Sequence, residues 1–358
     1  MLDFGATFMP DPPYRQFVER MVKAEQAGFT YGWTYDSHIL WQESYPVLAL
    51  AAQATSTIKL GHCVTNPGIR EPTVTASGYA TLHDISDGRM VMGIGRGDSS
   101  RRVVGLEPVP VAEFEAALVM IKDLMNGREV TWNDKTLKLD WARTEPEIPM
   151  YVAGYGPRAL GVAGRVGDGV IIQLADPEIT RWIIEQARDA AVKAGRDPDA
   201  LAPVVCAPAV VDADLPRWRD ETRWFPAMVS NHCKDLIKRY GVDGEIPKAL
   251  IDFARGVGEY DYADHSRVGA DHGKYISDEI VDRFCLLGEA DQQIEKLREL
   301  EALGVRQVIL YVMTSRVEET VERYGREIIP QFEAIGCGLS AVPSGPVVAS
   351  TARRAATI

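Results

Sequence analysis

IKLGHCVTNPGIREPTVTASGYATLHDISDGRMVMGI, residues 58–94, holds two short apolar runs on either side of a helical pattern. Ile58–Thr65 and Met90–Ile94 lack the strict polar alternation of a half-exposed sheet. Continuous apolar runs of this length suit parallel strands covered on both faces. The segment between them, Thr73–Ile85, reads as the crossover helix. The same alternation extends outward in both directions. Upstream, the candidate strands are Phe4–Met9 and Tyr31–Tyr35, each followed by a helical pattern, Tyr14–Ala27 and Tyr45–Thr55. Downstream, strands are expected at Met150–Ala153, Gly169–Leu174, Pro203–Val211 and Val305–Val312. The helices expected there are Val111–Met125, Arg158–Val166, Glu178–Ala194, Asp291–Leu303 and Glu318–Ala334. Gly28 after Ala27 and Gly304 after Leu303 suit left-handed helix ends.

Eight such units in a row point to an α/β fold of the closed (β/α)8 TIM-barrel type rather than an open sheet. One interval is irregular. Roughly 75 residues separate the seventh strand from the helix at Asp291, far more than an ordinary βα loop. The expected organisation is one barrel domain over residues 1–335, with a helical and loop insertion at about 212–287. The Ala/Ser/Pro/Gly-rich end, 336–358, is expected to be a disordered tail.

Composition narrows the function. Lys and Arg number 39 against 51 Asp and Glu, a net charge of −12, which disfavours nucleic acid or an anionic membrane as the main partner. The five cysteines, Cys63, Cys206, Cys233, Cys285 and Cys337, are dispersed and form no C-x-x-C pair. They suit a reduced, cytoplasmic setting and build no zinc motif from neighbours. The N-terminal residues carry no basic and apolar signal-peptide pattern. Of the histidines only His38 falls just past a strand end, so no metal site is expected.

In a barrel of this kind, chemistry sits at the strand C-termini. The first strand offers Thr7, whose hydroxyl suits either a bound ring or local backbone. The second ends in Tyr35-Asp36-Ser37-His38. A carboxylate near a histidine suits proton transfer close to neutral pH, which makes Asp36 and His38 the candidate catalytic pair. Asn66, before Pro67, suits an amide contact or a plain turn. Gly95-Arg96-Gly97-Asp98 lacks the third glycine of a dinucleotide fingerprint. Its glycines allow close approach of a flat ligand, and Arg96 adds charge. Gly154-Tyr155-Gly156-Pro157-Arg158 precedes a helix, where free N–H groups and the helix dipole favour a phosphate.

These segments together resemble the luciferase-like flavin/deazaflavin oxidoreductase superfamily, in particular its methylenetetrahydromethanopterin-reductase-like, coenzyme F420-using branch. The resemblance covers most of residues 4–174 and returns at Leu287–Tyr311. It is carried by LGHCVTNPGIREPTVTASGYATLHDISDGRMVMGIGRGD and PMYVAGYGPRALGVAGRVGDGVII. It implies a hydride-transferring enzyme with F420 as cofactor, or alternatively an FMN-dependent monooxygenase served by a flavin reductase, and commonly a homodimer. A third alternative is a non-catalytic flavin-binding protein on the same barrel. The resemblance implies that Asp36 and His38 face the deazaflavin and that a cis peptide at Cys63-Val64 backs its ring. It also implies that Asn66 and Gly95–Asp98 contact ring and ribityl chain, and that Gly154–Arg158 hold the phosphate. Two departures stand out. Ser37 separates the acidic residue from the histidine, and Thr7 stands where the reductases carry a carboxylate.

Overall fold

The computed structural model describes residues 1–240 and 275–333. Its barrel strands are β1 (Asp3–Phe8), β2 (Tyr31–Thr34), β3 (Lys59–Thr65) and β4 (Met90–Ile94). After a short hairpin, β5 (Val130–Trp132) with β6 (Lys135–Leu137), come β7 (Met150–Ala153), β8 (Gly169–Ile172) and β9 (Ala202–Val211). The small strand β10 (Leu286–Gly288) and then β11 (Gln307–Tyr311) complete the set. Pairing runs β9-β11-β1-β2-β3-β4-β7-β8, and β8 pairs back onto β9, so the parallel sheet is closed. This is the (β/α)8 TIM barrel, with helices between the strands.

The strands are apolar because both faces are covered. β2, β4, β8 and β11 are buried along their whole length. The interior is filled by large side chains set against glycines. Trp33 lies across the barrel where Gly5 and Gly61 leave room, since a Cβ on Gly5 would stand 2.7 Å from its indole nitrogen. Helix ends follow local chemistry. The Glu71 carboxylate accepts from the Thr73 and Val74 N–H groups at the start of Pro72–Ile85. Gly28 and Gly304 have φ of 88° and 91°, the left-handed conformation that ends the preceding helices.

Three features depart from the sequence reading. The β5–β6 hairpin forms around Asn133 and Asp134, both at positive φ, in a stretch read as connection. The final helix is α-helical only over Val317–Arg323 and widens into a π turn at Tyr324–Ile328. The insertion contains helices Leu215–Thr222, Trp224–Tyr240 and Asp278–Phe284, and β10 pairs parallel to the end of β9. Residues 241–274, including Tyr260, Tyr262, His265, His272 and Lys274, lie outside the described residues, as does 334–358 with Cys337. No described helix is long and apolar enough to cross a membrane.

Candidate active site

A cavity of about 570 Å³ opens at the C-terminal ends of the strands. Its floor is β3, where the Cys63–Val64 peptide is cis and the register with β4 shifts between His62 and Thr65. Cys63 and Val64 both line the cavity. Beside them, Asn66 is committed to its own loop. Its Oδ1 accepts from Gly68 N at 3.0 Å and its Nδ2 donates to Ser100 Oγ at 2.9 Å. Gly97 has φ of 80°, and a Cβ there would meet the Asn66 amide at 2.8 Å. Arg96 donates to Val109 O at 2.6 Å, tying the loop after β4 to the segment that leads into Val111–Met125. Asp98 pairs with Arg102 at 2.7 Å.

The wall after β7 is Gly154–Arg158. Gly156 is the N-cap of Pro157–Val166 and offers no side chain to the first-turn N–H groups. Pro157 opens the helix, and Arg158 lines the cavity with no ion-pair partner among the described residues. A flat ligand can approach here because Gly95 has no Cβ, which would stand 3.1 Å from Val64 Cγ2. N–H groups without a side-chain cap, a helix dipole and a guanidinium with no ion-pair partner among the described residues are the features that would suit an anion in the cavity.

The residues after β2 divide. Asp36 and Ser37 are buried and line the cavity. Leu40 N and Trp41 N both donate to Ser37 O, and this turn carries His38 outward, exposed and off the cavity wall. Ser37 therefore occupies the place that the sequence reading gave to His38, and its hydroxyl meets Ser99 Oγ at 3.0 Å.

Asp36 is fully engaged. Its Oδ2 accepts from Thr65 Oγ1 at 2.6 Å and Arg70 Nη1 at 2.7 Å, and its Oδ1 from Ser44 Oγ and Arg70 Nη2, each at 3.1 Å. Burial alone would raise its pKa. The charged and hydrogen-bonding neighbours outweigh that and hold it below the usual carboxylate range. His62 sits behind it, between Tyr79 OH at 2.6 Å and Ser44 Oγ at 2.9 Å. Ser44 gives its one proton to Asp36, so His62 Nε2–H donates to Ser44, and bare Nδ1 accepts from Tyr79. Burial pushes the His62 pKa down to about 4, so it is neutral at pH 7 and Arg70 is the counter-charge of Asp36. The cluster clamps the chain just after the cis peptide.

Thr7 lies buried and off the cavity wall, its hydroxyl without a partner among the described residues.

Sequence reasoning did not single out Gln173 or Tyr311, which tie to Tyr155 along the cavity. Tyr155 OH donates to Gln173 Oε1, and Gln173 Nε2 donates to Tyr311 OH, both at 2.8 Å. Tyr311 OH is 3.7 Å from Cys63 Sγ, which touches Cys206 Sγ at 3.6 Å across the barrel. Burial pushes the Tyr155 and Tyr311 hydroxyls well above their usual range. Trp224, Met228 and His232, spaced four apart on the inserted helix, close the cavity from above. That spacing was present in the sequence, but nothing local to the helix tells which strand ends it covers.

The luciferase-like monooxygenase family model matches residues 3–307. The chain is 31% identical over 339 residues to the 5,10-methylenetetrahydromethanopterin reductase of Archaeoglobus fulgidus, covering 93% of this chain and 100% of that protein. It is 25% identical over 339 residues to an F420-dependent glucose-6-phosphate dehydrogenase of Nakamurella multipartita, covering 89% of this chain and 93% of the relative. Among solved structures, the coenzyme F420-dependent tetrahydromethanopterin reductase of Methanopyrus kandleri superposes with a TM-score of 0.72 at 25% identity, covering 93% of this chain and 99% of that one.

Proposed function

The chain belongs to the luciferase-like monooxygenase family, and from that premise we propose that it is a coenzyme F420-dependent oxidoreductase. It transfers a hydride between the deazaflavin and a small organic substrate at a C=N, C=C or alcohol/carbonyl carbon. The observation that carries this reading is a single cavity joining a flat, glycine-edged floor at Cys63–Val64 to an anion site at Gly154–Arg158. Such a cavity suits a planar, phosphate-bearing cofactor. F420-dependent relatives over nearly the whole chain supply the choice of cofactor.

The roles of the residues follow from their placement. Cys63 and Val64 form the surface under the ring, and Asn66 with Gly95–Asp98 shape the groove beside it. The first-turn N–H groups of Pro157–Val166 and Arg158 hold the phosphate. The deazaflavin, when bound, supplies hydride chemistry at its C5 carbon. Asp36 keeps β3 in register through Thr65 and Arg70 and moves no proton. Trp224 and Met228 line the same cavity and would exclude water from it when it is filled. A homodimer and a cytoplasmic setting belong to the same proposal.

The phosphate assignment makes a specific prediction. Arg158→Gln weakens binding of F420 by about 10–100-fold, the cost of losing one charge-assisted contact. It leaves binding of the phosphate-free deazaflavin chromophore nearly unchanged. Fluorescence titration of both compounds checks this, and equal weakening of the two would remove Arg158 from the phosphate site. Turnover is screened with F420 or its reduced form against methylenetetrahydromethanopterin, glucose 6-phosphate and 2-propanol.

A further inference from the structure

We propose that His232, reaching down from the inserted helix, is the group that exchanges a proton with the substrate, and that Asp98 orients it. The inference rests on the hydride-transfer reading above. When a hydride leaves a hydroxyl-bearing carbon for the deazaflavin, the C–H electron pair goes with it. The O–H proton must then pass to a base as C=O forms, and the reverse reaction needs the matching acid.

The cavity wall offers few groups for this. Both oxygens of Asp36 are taken by Arg70, Thr65 and Ser44. His38 faces away, and His62 is enclosed behind the wall by Tyr79 and Ser44. Burial holds the Tyr35, Tyr155 and Tyr311 hydroxyls protonated far above neutral pH. Among the described residues, His232 is the histidine that lines the cavity.

Its ring is fixed on two sides. It stacks on Tyr155 with centroids 4.7 Å apart and planes 20° off parallel. Its Nδ1 stands 3.8 Å from Asp98 Oδ2. A carboxylate beside Nδ1 favours the proton there and leaves Nε2, on the far side of the ring, as the base. Among the described residues, the charged and titratable groups beside it are Asp98, which also pairs with Arg102, and the Tyr155 hydroxyl. Arg158 shares the cavity wall, and buried Cys233 follows on the same helix. Met228, one turn earlier, lines the same cavity. The inserted helix thus brings a proton carrier to a wall whose strand-end histidine points outward.

The test uses the full chain and oxidised F420. Histidine Hε1 resonances are assigned with His232→Gln and His38→Gln and followed by NMR across pH, with and without the cofactor. Bound F420 is expected to move the His232 resonance, while that of His38 stays in place. His232→Gln should bind F420 within about threefold of the unsubstituted protein. With the substrate that the screen identifies, kcat should fall about 100-fold or more, and the acid limb of the pH profile should vanish. A His232 resonance unmoved by bound F420 would overturn the proposal, as would a variant that keeps both its rate and its pH profile. Failure of the unsubstituted protein to bind F420 at all is a different result, and it would overturn the hydride-transfer reading as well.

Discussion

Asp36→Asn is expected to cost about 3–5 kcal/mol of folding stability, the range for breaking one side of a buried ion pair. The side chain of Asp36 is 1% exposed and that of Arg70 16%. Removing the negative charge leaves the guanidinium against the Tyr45 ring, 4.4 Å from its centroid, with only the half-exposed Glu43 as counter-ion. Thr65 and Ser44 lose their charged acceptor at the same time. Denaturant unfolding of Asp36→Asn, Arg70→Met and the double variant checks this. Because the pair is in direct contact, the double variant should lose less than the sum of the singles. A loss below about 1 kcal/mol in Asp36→Asn would show that the carboxylate is not the clamp.

Acid should unfold the protein partly through His62. Its pKa is about 4 in the folded chain against an ordinary 6.5. Between those values the unfolded chain binds a proton that the folded chain refuses, so stability rises with pH across this window and falls on acidification. From pH 7 to pH 4.5 the loss from this one group is about 2–3 kcal/mol. His83, also shifted down by burial, adds in the same direction. The His62 share is therefore the difference between the unsubstituted protein and His62→Gln. The variant should be less stable at pH 7, since Tyr79 and Ser44 lose the fitted imidazole, but its stability should fall less steeply with acid. Parallel slopes in the two proteins would mean that His62 becomes protonated in the folded state.

The barrel was legible in the sequence because its signal is local and repeated. Each strand from β1 to β11 that enters the barrel is a short apolar run, and each crossover carries a helical period. The hairpin at Val130–Leu137 was harder to read, since five of its six strand residues are partly or fully exposed and little apolar patterning marks it. Gly95–Asp98 and much of Gly154–Arg158 line the cavity, and they stood out in the sequence as glycines at strand ends, a pattern that a tight turn produces as well. The orientation of His38 was not legible. Whether Ser37 or His38 faces inward depends on one tight turn, Ser37–Trp41, and the alternation of a strand stops at Thr34. His232 and Gln173 were missed for another reason. They act together with residues 134 and 138 positions away, His232 with Asp98 and Gln173 with Tyr311, through contacts that only the closed barrel creates.

The two departures noted in the sequence now have distinct consequences. Thr7 is sealed beneath the site, so the first strand presents no carboxylate to the cavity. Ser37 gives that wall a hydroxyl in place of an imidazole. Under the proposed function, the proton chemistry of this chain would fall to His232 rather than to a side chain at either of these strand ends.

Under the proposed function the cavity binds a deazaflavin rather than FMN. Fluorescence titration of the purified protein with F420 and FMN, each in both oxidation states, tests it most directly. Saturable binding of F420 is expected at micromolar concentrations, with no comparable binding of FMN or its reduced form. Tight binding of reduced FMN with no response to F420 would contradict it and would assign the barrel to the flavin monooxygenases.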